Sequence, residues 1–214
     1  MRALFAAGAV LAVVGAANAA VVTQTQPFAF PLSPGNQVLA FNQFNGALGT
    51  LTKVELLFSG NINADATAEN DSVLAAPAFA LNLSGNMSVT FATLSGLGIV
   101  NNNFAQALAA TDNGGVANSS GPDFYDFGNV GDAIGGNDDT MAGLGAYIGG
   151  GTINANINGS AGFSFSGTTD ATLGIDNLGT AGDVTINYYY DPIPAPGAVA
   201  LFGAAGLMGL RRRR

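Results

Sequence analysis

The chain contains no cysteine, no histidine and no tryptophan, and it carries almost no positive charge. Each absence removes a class of chemistry. Without thiols or imidazoles there is no Cys nucleophile and no His base, and ordinary zinc and copper sites are excluded with them. Disulfides are excluded as well, although an oxidising compartment permits them without requiring them. The missing tryptophan removes the usual stacking platform for sugars and leaves only tyrosines such as Tyr147, Tyr188, Tyr189 and Tyr190 for that role. The six basic residues are Arg2, Lys53, Arg211, Arg212, Arg213 and Arg214. Between Ala20 and Asp191, Lys53 alone stands against all 14 carboxylates, a net charge of −13. Such a body is repelled by nucleic acid and by anionic lipid headgroups, so nucleic-acid binding is excluded.

What is present is apolar and small. Hydrophobic residues make up 48% of the chain and charged ones 9%, so a core can be buried and the composition is not that of a disordered chain. The 31 glycines are about twice ordinary usage and favour short strands with many turns. A length of 214 residues predicts one main domain.

Both ends read as addresses. Met1-Arg2, an apolar run over residues 3–17 and the small-x-small triplet Ala17-Asn18-Ala19 form the three parts of a secretory signal peptide, residues 1–19. Signal peptidase is expected to cut after Ala19, leaving Ala20 at the mature N-terminus. The other end, residues 191–214, has prolines at 192, 194 and 196, an apolar segment over 198–210, and the cluster Arg211, Arg212, Arg213, Arg214. The prolines predict a break in regular structure. The apolar segment has no solvated face, which argues against an ordinary surface helix. Thirteen residues at 1.5 Å per residue cover only about 20 Å, short of a ~30 Å hydrocarbon core. A transient inner-membrane anchor fits that length, with the arginines as a cytoplasmic stop.

That three-part order resembles the PEP-CTERM sorting signal read by exosortases. Pro194-Ala195-Pro196-Gly197 resembles its Pro-Ala-Pro version, with Ala195 in place of the usual Glu. The resemblance implies an exosortase-like partner, membrane retention through the C-terminal helix, and cleavage near the motif. Release or attachment at the cell surface would follow.

Between these ends, period-two alternation recurs. It is seen at Val54, Leu56 and Phe58; at Phe79, Leu81 and Leu83; and at Met87, Val89 and Phe91. It returns at Ile153, Ala155 and Ile157, at Phe163 and Phe165, and at Val184, Ile186, Tyr188 and Tyr190. One apolar face and one Ser/Thr/Asn face per strand predicts an all-β, antiparallel β-sandwich over residues 20–190. Residues 103–110 are expected to add a turn or two of helix. Phe41-Asn42-Gln43-Phe44 through Leu48-Gly49-Thr50-Leu51-Thr52-Lys53-Val54, the stretch from Tyr147 to Ile153, and the closing residues 184–190 resemble choice-of-anchor domains of E type. That resemblance implies an extracellular module with an interchangeable anchor and supplies no catalytic residues.

Residues 111–151 are rich in Gly, Asn and Asp and predict an irregular acidic insertion. Within it Asp123 with Asp126, and Asp138 with Asp139, offer oxygen ligands of the kind Ca²⁺ takes. Their spacing fits neither an EF-hand nor a nonapeptide calcium repeat, and solvated loop acids are the plainer reading. No other cofactor is expected. Glycosidase chemistry needs two acids on rigid strands, whereas the body has only Glu55 and Glu69 as glutamates and clusters its aspartates in apparently loose sequence. The chain is therefore read as a non-enzymatic structural or adhesive protein of the cell surface or extracellular matrix, associated with exopolysaccharide or biofilm. The alternative is a calcium-modulated carbohydrate-binding module.

Overall fold

The structure is a computed structural model that describes residues 19–193. The signal-like segment before Ala19 and the Pro194–Gly197 motif, apolar segment and arginine cluster lie outside the described residues. Eight strands follow one another: β1 (Ala20–Pro31), β2 (Gly35–Asn42), β3 (Gly49–Asn70), β4 (Ala80–Phe91), β5 (Leu94–Ala105), β6 (Phe124–Thr140), β7 (Thr152–Ser166) and β8 (Ala171–Pro192). They form two four-stranded antiparallel sheets of order β1-β8-β3-β6 and β2-β7-β4-β5. The expected all-β antiparallel sandwich is therefore observed. Only the β4–β5 hairpin stays within one sheet, and every other connection crosses to the opposite one. This strand order is that of a jelly roll, one of the architectures by which antiparallel sheets protect their edges.

Alternation places the core. Val54, Leu56, Phe58, Val184, Ile186 and Tyr188 from the first sheet meet Leu83, Met87, Val89, Phe91, Ala155 and Ile157 from the second. The seams close by two different devices. Where β1 meets β2, glutamines stand in for a strand: the Gln24 amide donates to Asn42 O (2.9 Å) and accepts from Asn42 N (3.0 Å), while Gln37 Oε1 accepts from Ala29 N. Where β5 meets β6, missing side chains let the backbones approach. A Cβ on Gly98 would lie 2.7 Å from Gly135 O, and one on Gly136 would lie 2.7 Å from Leu97 O. Both edges are thereby hidden from other chains.

β3 and β8 are 22 residues each and outrun β1 and β2. At the point where β1 ends, register shifts by β-bulges on both sides of Asp65. Asn177 on β8 and Gly128 on β6 take positive φ there. The Asp65 carboxylate accepts from Asn129 Nδ2 (3.0 Å) and Asn177 Nδ2 (2.8 Å), so one side chain ties both bulged strands to β3. Beyond this line a second core of Phe79, Leu81, Leu108 and Val130 takes over, joined by Phe104, Phe127, Phe163 and Phe165.

Three expectations are corrected. Residues 111–151 are not one irregular insertion, because β6 runs through their middle and pairs with β3 from Glu69 to Val54. On the face it shares with the buried Val130 and Ile134 it carries Asp132, Gly136 and Asp138, so the period-two apolar signal is faint. Residues 103–110 form no helix: β5 continues to Ala105, and Leu108 bridges Ala76. Pro192 does not end regular structure but closes β8 opposite Gly49, at a strand terminus where no ladder N–H is required. Among the described residues no helix is long and apolar enough to cross a membrane.

Candidate functional site: an uncharged sheet face and an acidic pole

β2, β4, β5 and β7 contain no Asp, Glu, Lys or Arg at all. In a body of charge −13 this makes one whole sheet electrically bare. Alternation turns Asn, Ser and Thr of these strands outward, and they link across the ladder: Asn103 Nδ2 donates to Asn82 Oδ1 (2.8 Å), and Asn82 Nδ2 to Ser166 Oγ (3.2 Å). An open groove of about 490 Å³ crosses this face, lined by Ser84, Asn86, Ile99, Asn101 and Ser160, with Gly85 and Gly162 as its floor. Amides and hydroxyls on a flat face suit a neutral, hydroxyl-rich partner.

The outer face of the other sheet is charged. Glu55 accepts from Asn187 Nδ2 and from the Tyr189 hydroxyl, both at 2.9 Å, and Asn187 Oδ1 accepts from Thr23 Oγ1. Lys53 lies 3.4 Å from Glu55, 3.5 Å from Asp139 and 5.4 Å from the centroid of the Tyr189 ring. The Asn187 hydrogen bond, then that of Tyr189 and the charge of Lys53, hold the Glu55 carboxyl below its ordinary range against the opposing effect of burial. A shallow groove of about 630 Å³ runs beside this network past Ser59, Asn137, Asp183 and Thr185.

The second candidate lies at the pole where β3 ends and β6 begins. Here the chain buries polar groups: Glu69, Asn70, Ser72 and Asp123 are all within the protein. Asn70 is satisfied on every side, donating to Leu74 O and Ala109 O and accepting from Ser72 N and Thr168 Oγ1. Glu69 pins the loop between β5 and β6 by accepting from the backbone N–H groups of Asn118 (2.8 Å) and Ser119 (2.7 Å). Asp123 is fully buried; its Oδ2 accepts from Asp112 N at 3.0 Å, whereas its Oδ1 has no partner. Asp71 also keeps one buried oxygen without a partner, its other oxygen accepting from Thr172 Oγ1. An open recess of about 350 Å³, lined by Ser72, Leu74, Gly167, Thr168 and Thr169, lies at the same pole.

The four calcium candidates are not brought together in the pairs their spacing suggested. Asp123 is buried just before β6, and Asp126 is exposed on it, capping Gly128 N. Asp138 and Asp139 are successive strand residues and so face opposite ways. Asp138 accepts from Ser95 N on β5, and Asp139 reaches Lys53. Asp112, Glu69 and Asp71, which sequence spacing did not single out, are the acids that join Asp123. Among the described residues no three His, Cys, Asp or Glu side chains assemble as metal ligands. Of the processing residues, Ala19 is described and exposed just ahead of β1, while Ala17, Pro194, Ala195, Pro196, Gly197 and Arg211, Arg212, Arg213 and Arg214 lie outside the described residues.

No known family model matches the chain, and no curated protein does. Among solved structures, one of infectious bursal disease virus, Gt strain, is similar at 12% identity over 84% of this chain, with a TM-score of 0.12. The chain spans 43% of the length of that viral chain, and a likeness so slight carries no argument about fold or function.

Proposed function

We propose that this is an exported, non-enzymatic surface protein, held by an exosortase-type sorting tail and serving a structural or adhesive role in an extracellular, exopolysaccharide-containing matrix. The observation that carries the reading is the run of Pro-rich motif, apolar segment and four arginines that begins as β8 ends. Signal peptidase would act at Ala17–Ala19 and the sorting enzyme near Pro194–Gly197. The geometry is compatible with tethering, because Ala20 pairs with Tyr190 and both ends of the described body therefore lie at one pole. At ~3.3 Å per residue, a 22-residue strand carries the acidic pole up to roughly 70 Å from that tether. The uncharged sheet lies free between the two poles, and its Asn and Ser rows supply the hydrogen bonds a neutral polysaccharide would meet. Mass spectrometry of surface-localised protein tests the sorting step. Chains beginning at Ala20 and ending near Pro196 are expected, and an intact Arg214 at the surface overturns the proposal.

A second reading is a carbohydrate-binding module modulated by calcium. The buried, unpartnered oxygen of Asp123 is the observation that favours it. Glycan-array binding that disappears on chelation would prefer it over the structural role.

A further inference from the structure

We propose that the loop between β5 and β6 holds one Ca²⁺ ion between the carboxylates of Asp112 and Asp123. The inference stands apart from the sorting tail and requires neither export nor anchoring. It begins with an imbalance of charge. Glu69, Asp71, Asp112 and Asp123 gather at one pole, and the only basic side chain among the described residues, Lys53, sits near the opposite end of β3. Among the described residues no cationic side chain lies at this pole, which leaves a counter-ion from solution to offset these acids.

Of the four carboxylates, Glu69 is already held by two backbone N–H groups. Asp71 accepts from Thr172 with one oxygen and leaves the other without a partner. Asp112 and Asp123 share a different surrounding. The Cβ that any other residue would place at Gly121 would collide with Asp112 Oδ2 and come within 2.9 Å of Asp123 Oδ1. Both oxygens therefore border one small space that glycine alone leaves open, and Gly121 adopts φ +95°, which also favours glycine. Of these two, Asp123 Oδ1 belongs to a fully buried side chain and has no hydrogen-bond partner. Buried polar atoms are nearly always satisfied, and a carboxyl oxygen left without a partner beside a second carboxyl group is a costly exception. Asp112 is turned toward the space from both ends: its N–H donates to Asp123 Oδ2, and Asn118 Nδ2 lies 3.5 Å from its Oδ1.

The chemistry selects a hard cation of flexible coordination. Ca²⁺ takes six to eight oxygens at about 2.3–2.6 Å, so two of its ligands stand no more than ~5 Å apart, as two atoms bordering one Cβ position can. Two carboxylates suffice when loop carbonyls and water complete the shell. Mg²⁺ demands a stricter octahedron at about 2.0–2.1 Å and gives up its own water reluctantly.

The test is calorimetric and thermal titration of the purified full-length chain with CaCl₂. Wild-type protein is expected to bind one Ca²⁺, and its Tm to climb with the logarithm of free Ca²⁺ once the site is saturated. MgCl₂ is expected to give a smaller rise. Asp112→Asn, at an exposed position that need not disturb the fold, should weaken Ca²⁺ binding by at least about tenfold, because ligand charge sets affinity. Asp123→Asn should do the same if it folds, and Asp126→Asn should behave as wild type. A Tm rise reproduced by NaCl at matched ionic strength would show only screening of the body's negative charge and would overturn the site. So would an Asp112→Asn variant that keeps the wild-type Ca²⁺ affinity.

Discussion

Tyr147 offers a sharp test of how the segment between β6 and β7 is held. It ends a single 3-10 turn, Leu144–Tyr147, and yet is fully buried, its ring centroid 5.8 Å from that of Phe91. Its hydroxyl lies 2.8 Å from Thr93 Oγ1, accepts from Thr93 N at 3.3 Å and reaches Phe91 O at 3.4 Å. The ring and the hydroxyl can be removed separately. Tyr147→Phe keeps the ring and strands only groups at the β4–β5 turn that water can partly reach, so the cost is near the lower end of the 1–3 kcal/mol range, about 1 kcal/mol. For a domain of this size that is a fall in Tm of roughly 2–4 °C. Tyr147→Ala also empties the ring's place in the core, at about 3–5 kcal/mol. It further releases the backbone bond from Phe44 N to Tyr147 O (2.8 Å), which needs the segment in position. Urea denaturation with linear extrapolation measures both, given an unchanged m-value. Thr93→Val combined with Tyr147→Phe should cost less than the sum of the two singles, since each removes the same interaction. If Tyr147→Ala is no more damaging than Tyr147→Phe, the ring is not a plug in this core and the segment is held elsewhere.

Other expected outcomes follow from particular contacts. Burial, then the charge of neighbouring Tyr147, pushes the Tyr188 phenol up to about 12. The native state thus keeps a proton that the unfolded chain gives up near 10; stability is intact below pH 10 and is lost as pH rises toward 12. Spectrophotometric titration should show Tyr188 ionising together with unfolding, and a normal phenol titration in the intact fold would contradict its burial. At the acid end, Glu55 is held low first by Asn187, and Asp65 by Asn177 and then Asn129. Their contributions are present above the ordinary carboxyl range and lost as pH falls through the lowered values, so Glu55→Gln with Asp65→Asn should flatten the acid limb of urea midpoints below about pH 4. Gly98→Val places a Cβ 2.7 Å from Gly135 O and should separate β5 from β6, at about 1–3 kcal/mol and with aggregation through the opened edges. Gly162→Ala, with nothing within 4 Å, serves as the control and should be close to neutral.

The sequence by itself determined the secondary structure wherever alternating residues were large. β3, β4, β7 and β8 are legible because Val54, Leu56, Phe58, Met87, Val89, Ile157, Val184 and Ile186 are apolar at every second place. The inward Tyr188 and Tyr190 around an outward Tyr189 follow from the same rule. Charge was equally plain, since Lys53 has no rival cation between Ala20 and Asp191. β6 escaped because Asp132, Gly136 and Asp138 interrupt the alternate positions that Val130 and Ile134 share, so no apolar period shows; only the neighbouring strands, approached closely at Gly135 and Gly136, show why those two must be small. The pairing order was decided by tertiary structure alone, because alternation says which side of a strand is buried and nothing about which neighbour it finds. The same limit hid the acidic pole. Asp112 and Asp123 are eleven residues apart, with no ligand spacing between them, and they meet only because Glu69 fastens Asn118 and Ser119 while Gly121 folds the loop back on itself. The uncharged sheet is the converse case: its strands are scattered along the chain, each an unremarkable stretch without charge, and only the crossing connections of the jelly roll gather them into one face.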